Sequence, residues 1–118
     1  MKLSSPDDLL LRLHWTALLF GHIRADLAIT GGIHSGLDVI KTMMAGARVA
    51  MLTSAVLKFG VDYLGSVLAE LMEWMTEHEY DSVRQMQGSM SLRFVSNPAA
   101  YERANYMQVL RSYILRES

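Results

Sequence analysis

The sequence contains no cysteine among its 118 residues. This absence excludes disulfides, thiolate zinc sites and a cysteine nucleophile within these residues. Acidic and basic residues nearly balance, with a net charge of −1, so there is no electrostatic reason to expect nucleic acid or an anionic membrane as a partner. No apolar run reaches the roughly 18 residues that a membrane span needs. Residues 1–8 also lack the basic and apolar regions of a signal peptide. We therefore expect a cytoplasmic protein without a membrane span.

Hydrophobic residues are abundant. They make up 51% of the sequence against 19% for charged residues, which predicts a folded domain rather than a disordered chain. Two short apolar runs, residues 27–30 and 49–52, predict parallel strands buried on both faces. A helix is predicted between them over residues 35–45, and Gly46 ends it. Strand, helix and strand in this order predict a right-handed βαβ unit.

Helical patterns dominate the remaining sequence. Residues 5–19 begin with Ser, Pro and two Asp, which favour a helix start, and apolar side chains cover most of this helix. A short helix is predicted over residues 55–59, and a long amphipathic helix over residues 61–78. A helical turn over residues 82–87 and a last helix over residues 97–116 follow. The apolar stripe predicted for the long helix consists of Leu64, Val67, Leu68, Leu71, Met72 and Met75.

The two predicted strands are too few for a complete sheet. Strands buried on both faces need helices around a larger sheet, and two parallel strands are not independently stable. The chain therefore has the pattern of an incomplete α/β unit. Either it belongs to a truncated protein, or another polypeptide supplies the missing strands. A helical regulatory module without a ligand is a further alternative, and it requires that both strands are misread.

Glycines and hydroxyl side chains follow the two predicted strands. Gly31 and Gly32 come after the first strand, and Thr53 and Ser54 come at the end of the second. Glycine lets backbone N–H groups approach a phosphate without a β-carbon in the way, and a helix start supplies further free N–H groups. These four residues therefore predict a phosphate site at neighbouring strand ends. The alternative is that the two glycines only permit a tight turn.

Longer stretches carry a family resemblance. Residues 27–47, with the stretches LAITGGIHSGLDVIK and MAGA, resemble strand seven and helix seven of the FMN-dependent dihydroorotate dehydrogenase-like flavoproteins. Residues 49–54 resemble strand eight, and residues 5–19 resemble helix six. Residues 88–91 and 103–107 resemble the C-terminal region of a bacterial branch of that family. The resemblance covers nearly the whole chain.

The resemblance implies a particular fold class. Residues 1–80 would be the C-terminal portion of a (β/α)8 TIM barrel, which contributes the last two strand–helix units and the helix before them. Residues 81–118 would be a helical C-terminal extension. A whole barrel needs roughly 250 residues, so the resemblance implies that the missing part of the barrel, or a second copy of the chain, is a partner.

The resemblance also implies a cofactor and an activity. In this family backbone amides at the two strand ends hold the FMN phosphate, which assigns cofactor binding to Gly31, Gly32, Thr53 and Ser54. The family oxidises dihydroorotate to orotate in pyrimidine biosynthesis, with hydride passing to the flavin. Its catalytic base and substrate-binding residues come from earlier strands, so no catalytic residue is assigned and we expect the chain alone to be inactive. The alternative is a non-catalytic remnant that oligomerises or binds a partner chain through its apolar helices.

Other polar residues have plainer interpretations. His34 lies in the glycine loop and is interpreted as an exposed loop histidine rather than a phosphate ligand. Glu70, Glu73, Glu77 and Glu79 are interpreted as a solvated helix face. The histidines lack the paired spacing of metal ligands, so no metal site is predicted.

Overall fold

The first helix begins as its side chains predict. In the computed structural model, which describes residues 3–91, the Ser5 N–H donates to the Asp8 carboxylate at 2.8 Å. This contact belongs to a capping box around the 3-10 turn Pro6–Asp8, which leads directly into the first α-helix. The helix predicted over residues 97–116 lies outside the described residues.

The described chain contains two strands and five α-helices after this turn. In chain order they are α1 (Leu9–Leu19), β1 (Ala28–Thr30), α2 (Gly36–Ala45), β2 (Val49–Met51), α3 (Thr53–Phe59), α4 (Tyr63–Glu77) and α5 (Val83–Met86). The predicted βαβ unit is therefore present as β1, α2 and β2. The third helix starts two residues earlier than predicted, so Thr53 and Ser54 lie in its first turn rather than at the end of a strand.

The two strands pair in parallel. Ala28, Ile29 and Thr30 lie opposite Val49, Ala50 and Met51, respectively. Ser35 caps the connecting helix, since its Oγ accepts the Asp38 N–H at 3.1 Å. Because the register ends with Thr30 beside Met51, the carboxyl ends of both strands meet at one edge of the sheet.

The core lies between one face of the sheet and the helices. Ile33 and Ile40 are about 1% exposed, and Met86 of α5 is fully buried in the same cluster. Leu9, Ile29, Val39, Met43, Ala47 and Val67 complete this buried apolar cluster. Residues from α1, α2, α4 and α5 therefore share one core.

The other face of the sheet is open. Along β1 only Ile29 is buried, while Ala28 and Thr30 are exposed. Val49 and Met51 of β2 are 50% and 46% exposed. The prediction that both strand faces are buried is therefore wrong for residues 3–91, because all the helices that cover the sheet lie on the Ile29 side.

Helix α4 is buried along a narrower stripe than predicted. Val67 is buried and Leu71 is partly buried against the core, whereas Leu64, Leu68 and Met72 are exposed. The reason is that α4 packs mainly against α2, and a single helix neighbour covers only part of a wide apolar face. Three of the six predicted stripe residues thus lie on the surface.

Phe20 joins two distant parts of the chain. A β-carbon added at Gly46 would lie 2.6 Å from the Phe20 ring, and one added at Gly88 would lie 2.2 Å from it. The Gly88 N–H also donates to Met43 O at 2.9 Å, and the Met90 N–H donates to Met44 O at 2.8 Å. The segment after α5 is therefore fixed against the end of α2.

Candidate phosphate-binding site

The predicted site residues lie at the edge where the two strands end. Gly31 and Gly32 directly follow β1. Leu52 separates β2 from the start of α3, where Thr53 and Ser54 lie. Parallel pairing of the strands brings both segments to the same edge.

Ser4 connects the two segments. Its Oγ accepts the Gly32 N–H at 3.1 Å and donates to the Ser54 Oγ at 2.7 Å. The Ser4 N–H also donates to the Ser54 Oγ, at 3.3 Å. A single oxygen atom therefore lies within hydrogen-bond distance of both Gly32 and Ser54. We call Ser4, Arg12, Gly31, Gly32 and Ser54 the strand-end site.

Gly31 and Gly32 have backbone conformations that favour glycine. Their φ angles are +91° and +84°, a region that side chains with a β-carbon rarely adopt. At Gly32 a β-carbon would also lie 2.5 Å from the Leu9 backbone nitrogen. The close approach to α1 means that Gly32 has a packing role as well as an N–H group directed at Ser4.

Arg12 brings a positive charge to the site. A β-carbon added at Gly31 would lie 3.0 Å from both Cζ and Nη2 of Arg12, so the guanidinium lies directly against this glycine. Arg12 Nη1 also donates to the Asp8 carbonyl oxygen. The sequence patterns do not single out Arg12, although it is the only lysine or arginine in residues 3–23.

Thr53 takes no part in the hydrogen bonds around Ser4. It is exposed at the start of α3, and in residues 3–91 the contacts to Ser4 come from Gly32 and Ser54. The structure thus brings Gly31, Gly32 and Ser54 together, whereas Thr53 lies beside them without a hydrogen bond to the glycine loop.

The start of α2 is closed by the protein itself. The Glu70 carboxylate accepts the Gly36 N–H at 3.1 Å and the Leu37 N–H at 3.2 Å. The Asp38 N–H goes to Ser35, and the Asp38 carboxylate accepts the His34 N–H at 3.0 Å. The free N–H groups that the sequence offers to a phosphate at this helix start are therefore occupied. Glu70 is exposed, in agreement with its interpretation as part of a solvated helix face, and its carboxylate also caps α2.

His34 is held by the loop around it. It is half-buried, and its carbonyl oxygen accepts the Tyr63 hydroxyl. Its Nδ1 is buried and has no hydrogen-bond partner within the described part of the chain. The expectation of an exposed loop histidine is therefore wrong, because α4 packs over this loop.

An apolar cavity lies away from the strand-end site. Its volume is about 350 Å³, and it lies between α1 and α2. Leu10, Leu13, His14, Ala17, Lys41, Met44, Ala45 and Met90 line it. Most of these side chains are apolar, so the cavity does not offer the set of hydrogen-bond donors that an anion needs.

Residues 3–91 contain no group of three or more His, Asp or Glu side chains placed to hold a metal ion. Within the same residues, no helix has the length and apolar character to cross a bilayer.

Comparison of the sequence with protein-family models and with curated proteins finds no match. The resemblance to dihydroorotate dehydrogenase-like flavoproteins therefore stays a prediction. What the site offers chemically is a backbone N–H, two hydroxyl groups and a guanidinium. These are the donors that bind an oxyanion.

Proposed function

We propose that this chain is the C-terminal portion of a cytoplasmic FMN-dependent oxidoreductase of the dihydroorotate dehydrogenase-like type. In this proposal Gly31, Gly32, Thr53 and Ser54 hold the FMN phosphate. The observation that carries the proposal is that one oxygen atom, Ser4 Oγ, accepts the Gly32 N–H at 3.1 Å and lies 2.7 Å from the Ser54 hydroxyl, to which it donates. Such proximity at the carboxyl ends of parallel strands is the arrangement that (β/α)8 barrels use for phosphate.

The open sheet face supports a role within a larger barrel. Val49 and Met51 are about half exposed on the face opposite the core, and burying apolar side chains of this size is favourable. Closure of further parallel strands into a barrel would place these two side chains in the barrel interior. The missing strands would come from additional chain or from a partner polypeptide.

The residues present fit a phosphate better than they fit a catalytic role. Gly32 leaves no room for a β-carbon, and its N–H faces a hydroxyl that a phosphate oxygen can replace. Bound FMN would supply the hydride-accepting chemistry. This chain's residues would bind and orient the phosphate end, and the proposal assigns no proton transfer to any of them. The chain alone is therefore expected to show no turnover.

Flavin binding tests the proposal. The chain would be expressed as one polypeptide with the preceding strand–helix units of a dihydroorotate dehydrogenase-like barrel, and bound flavin would be measured by absorbance after gel filtration. We expect FMN to be retained and riboflavin, which lacks the phosphate, to be lost. Ser54→Ala should weaken FMN binding about tenfold, the effect of one hydrogen bond to a charged group.

Ser66→Ala provides a matched control, because Ser66 is an exposed serine on α4. It should leave FMN binding unchanged. A completed protein that folds but retains no FMN, or that binds riboflavin equally well, would contradict the proposed phosphate site.

A second candidate function rests on the exposed apolar side chains. Leu57, Phe59, Val61, Leu64, Leu68 and Met72 are between 42% and 72% exposed on α3, α4 and their connection. Leu64, Leu68 and Met72 are four residues apart and lie on one face of α4, and exposed apolar surface of this kind is typical of a protein–protein interface. A stand-alone chain that oligomerises through it should sediment as a dimer or larger species. Leu68→Glu should convert that species to a monomer, whereas a wild-type chain that is already monomeric at high concentration would exclude this alternative.

A further inference from the structure

The Arg12 side chain lies at the strand-end site because of helix geometry. Side chains on an α-helix lean toward its N-terminus, and Arg12 is in the first turn of α1. Its guanidinium therefore lies over the preceding turn, where it donates to the Asp8 carbonyl oxygen. The same group rests against Gly31, whose missing side chain leaves the necessary space.

The guanidinium lies against Gly31, the residue next to the Gly32 N–H donor. Gly31 is one peptide unit from the Gly32 N–H, which donates to Ser4 Oγ. Ser4 in turn donates to Ser54. A group bound in place of the Ser4 oxygen would thus meet a backbone N–H and a hydroxyl, with a guanidinium against the neighbouring residue Gly31. Guanidinium groups bind phosphate strongly because their N–H groups match its oxygens in geometry and charge.

Two nearby carboxylates are engaged by backbone N–H groups. The Asp8 carboxylate accepts the Ser5 N–H, and the Glu70 carboxylate accepts two N–H groups at the start of α2. Both carboxylates therefore serve as helix caps. Arg12 has its backbone carbonyl contact and still faces Gly31 with Cζ and Nη2.

We infer that Arg12 is the charge partner of the phosphate and makes the site select a phosphorylated ligand over its unphosphorylated form. This inference rests on the proposed function, because it concerns the same site. It adds the ligand class, which is a phosphate monoester dianion. It also adds Arg12, to which the family resemblance assigns no role, as a specificity-determining residue. A residue with only a structural role in α1 would affect stability without affecting this choice.

The first experiment uses the chain itself and inorganic phosphate as the probe. Phosphate is titrated while the backbone N–H signals of Gly31, Gly32 and Ser54 are followed by NMR, at low and high NaCl concentration. We expect these three signals to shift together, with a dissociation constant that rises with salt. Arg12→Gln should raise that constant about tenfold, and Arg12→Lys should recover part of the loss.

Arg24→Gln is the matched control. Arg24 is an exposed arginine before β1, at the opposite end of the strand. Its substitution should change neither the phosphate affinity nor the salt dependence. Equal phosphate affinity in wild type and Arg12→Gln would overturn the inference, and so would a wild-type chain whose three signals do not respond to phosphate.

A second experiment separates this inference from the proposed function. FMN and riboflavin binding are measured for the completed barrel with Arg12 and with Arg12→Gln. Loss of FMN affinity with unchanged riboflavin affinity supports both proposals. If phosphate binding to the chain depends on Arg12 but the folded barrel binds no FMN, the flavin assignment fails while the anion site stands. If the barrel binds FMN equally with and without Arg12, the flavin assignment stands and the role of Arg12 is refuted.

Discussion

At the start of α2 a carboxylate accepts the free backbone N–H groups, whereas at the strand-end site a neutral hydroxyl does. Glu70 accepts the N–H groups of Gly36 and Leu37, and Ser4 accepts that of Gly32. A carboxylate adds a negative charge that complements the positive end of the helix dipole. It would also repel a second anion. The neutral hydroxyl leaves the strand-end site able to accept one, so two adjacent sets of N–H groups differ in what they can bind.

The largest effect is expected at Gly32, where the site and the fold depend on the same atoms. Gly32→Val would place a β-carbon 2.5 Å from the Leu9 nitrogen at a φ of +84°. Overpacking and backbone strain together should cost about 3 kcal/mol, which urea unfolding would measure. In Gly31→Ala only the flexible Arg12 side chain has to move, so about 1 kcal/mol is expected. Equal losses at the two glycines would contradict the observed packing of Gly32 on α1.

A smaller effect is expected when the charged cap of α2 is removed. Glu70→Ala leaves two N–H groups without their acceptor and removes a charge from the helix start, so unfolding free energy should fall by about 1 to 2 kcal/mol. Hydrogen exchange at Gly36 and Leu37 should become faster. Glu73→Ala, three residues further along the same helix and exposed, should change stability by less than about 0.5 kcal/mol. Similar losses in both variants would show that the Glu70 contacts contribute nothing specific.

The smallest effect is expected when the hydrogen bonds of the Ser4 hydroxyl are removed. Ser4→Ala removes the acceptor of the Gly32 N–H and should cost about 1 kcal/mol. Because Ser4 and Ser54 share a hydrogen bond, the double variant with Ser54→Ala should lose less stability than the two single variants added together. Thermal unfolding of the four proteins gives this coupling. Strict additivity would mean that the hydrogen bond between Ser4 and Ser54 is not formed in solution.

Local sequence patterns predicted the βαβ unit but not the contacts that define the site. Ser35 and Gly46 identified the start and end of α2 because capping depends on neighbouring residues. The Ser4–Ser54 bridge joins residues 50 positions apart, and no local pattern contains it. Glu70 has the spacing of a solvated helix residue, and only the packing of α4 on α2 shows that it is a cap.

The open sheet face marks a different limit of sequence reasoning. Val49 and Met51 are apolar, so their pattern predicts burial on both sides. The pattern predicts that these residues are buried, but it does not identify the part of the protein, or the partner chain, that buries them. The resemblance to flavoproteins predicts that a larger barrel buries them, and the FMN-binding experiment tests that prediction.

Phe20 has a consequence for how this protein tolerates substitution. One aromatic ring occupies the volume that two side chains, at positions 46 and 88, would otherwise need. A methyl group introduced at either glycine requires a smaller residue at position 20, and shrinking position 20 alone leaves a void between the end of α2 and the segment after α5. Gly46 and Gly88 also have positive φ angles, +124° and +75°, so a smaller residue at position 20 would relieve the steric clash but not the backbone strain. Both positions are therefore expected to remain glycine whichever residue stands at position 20.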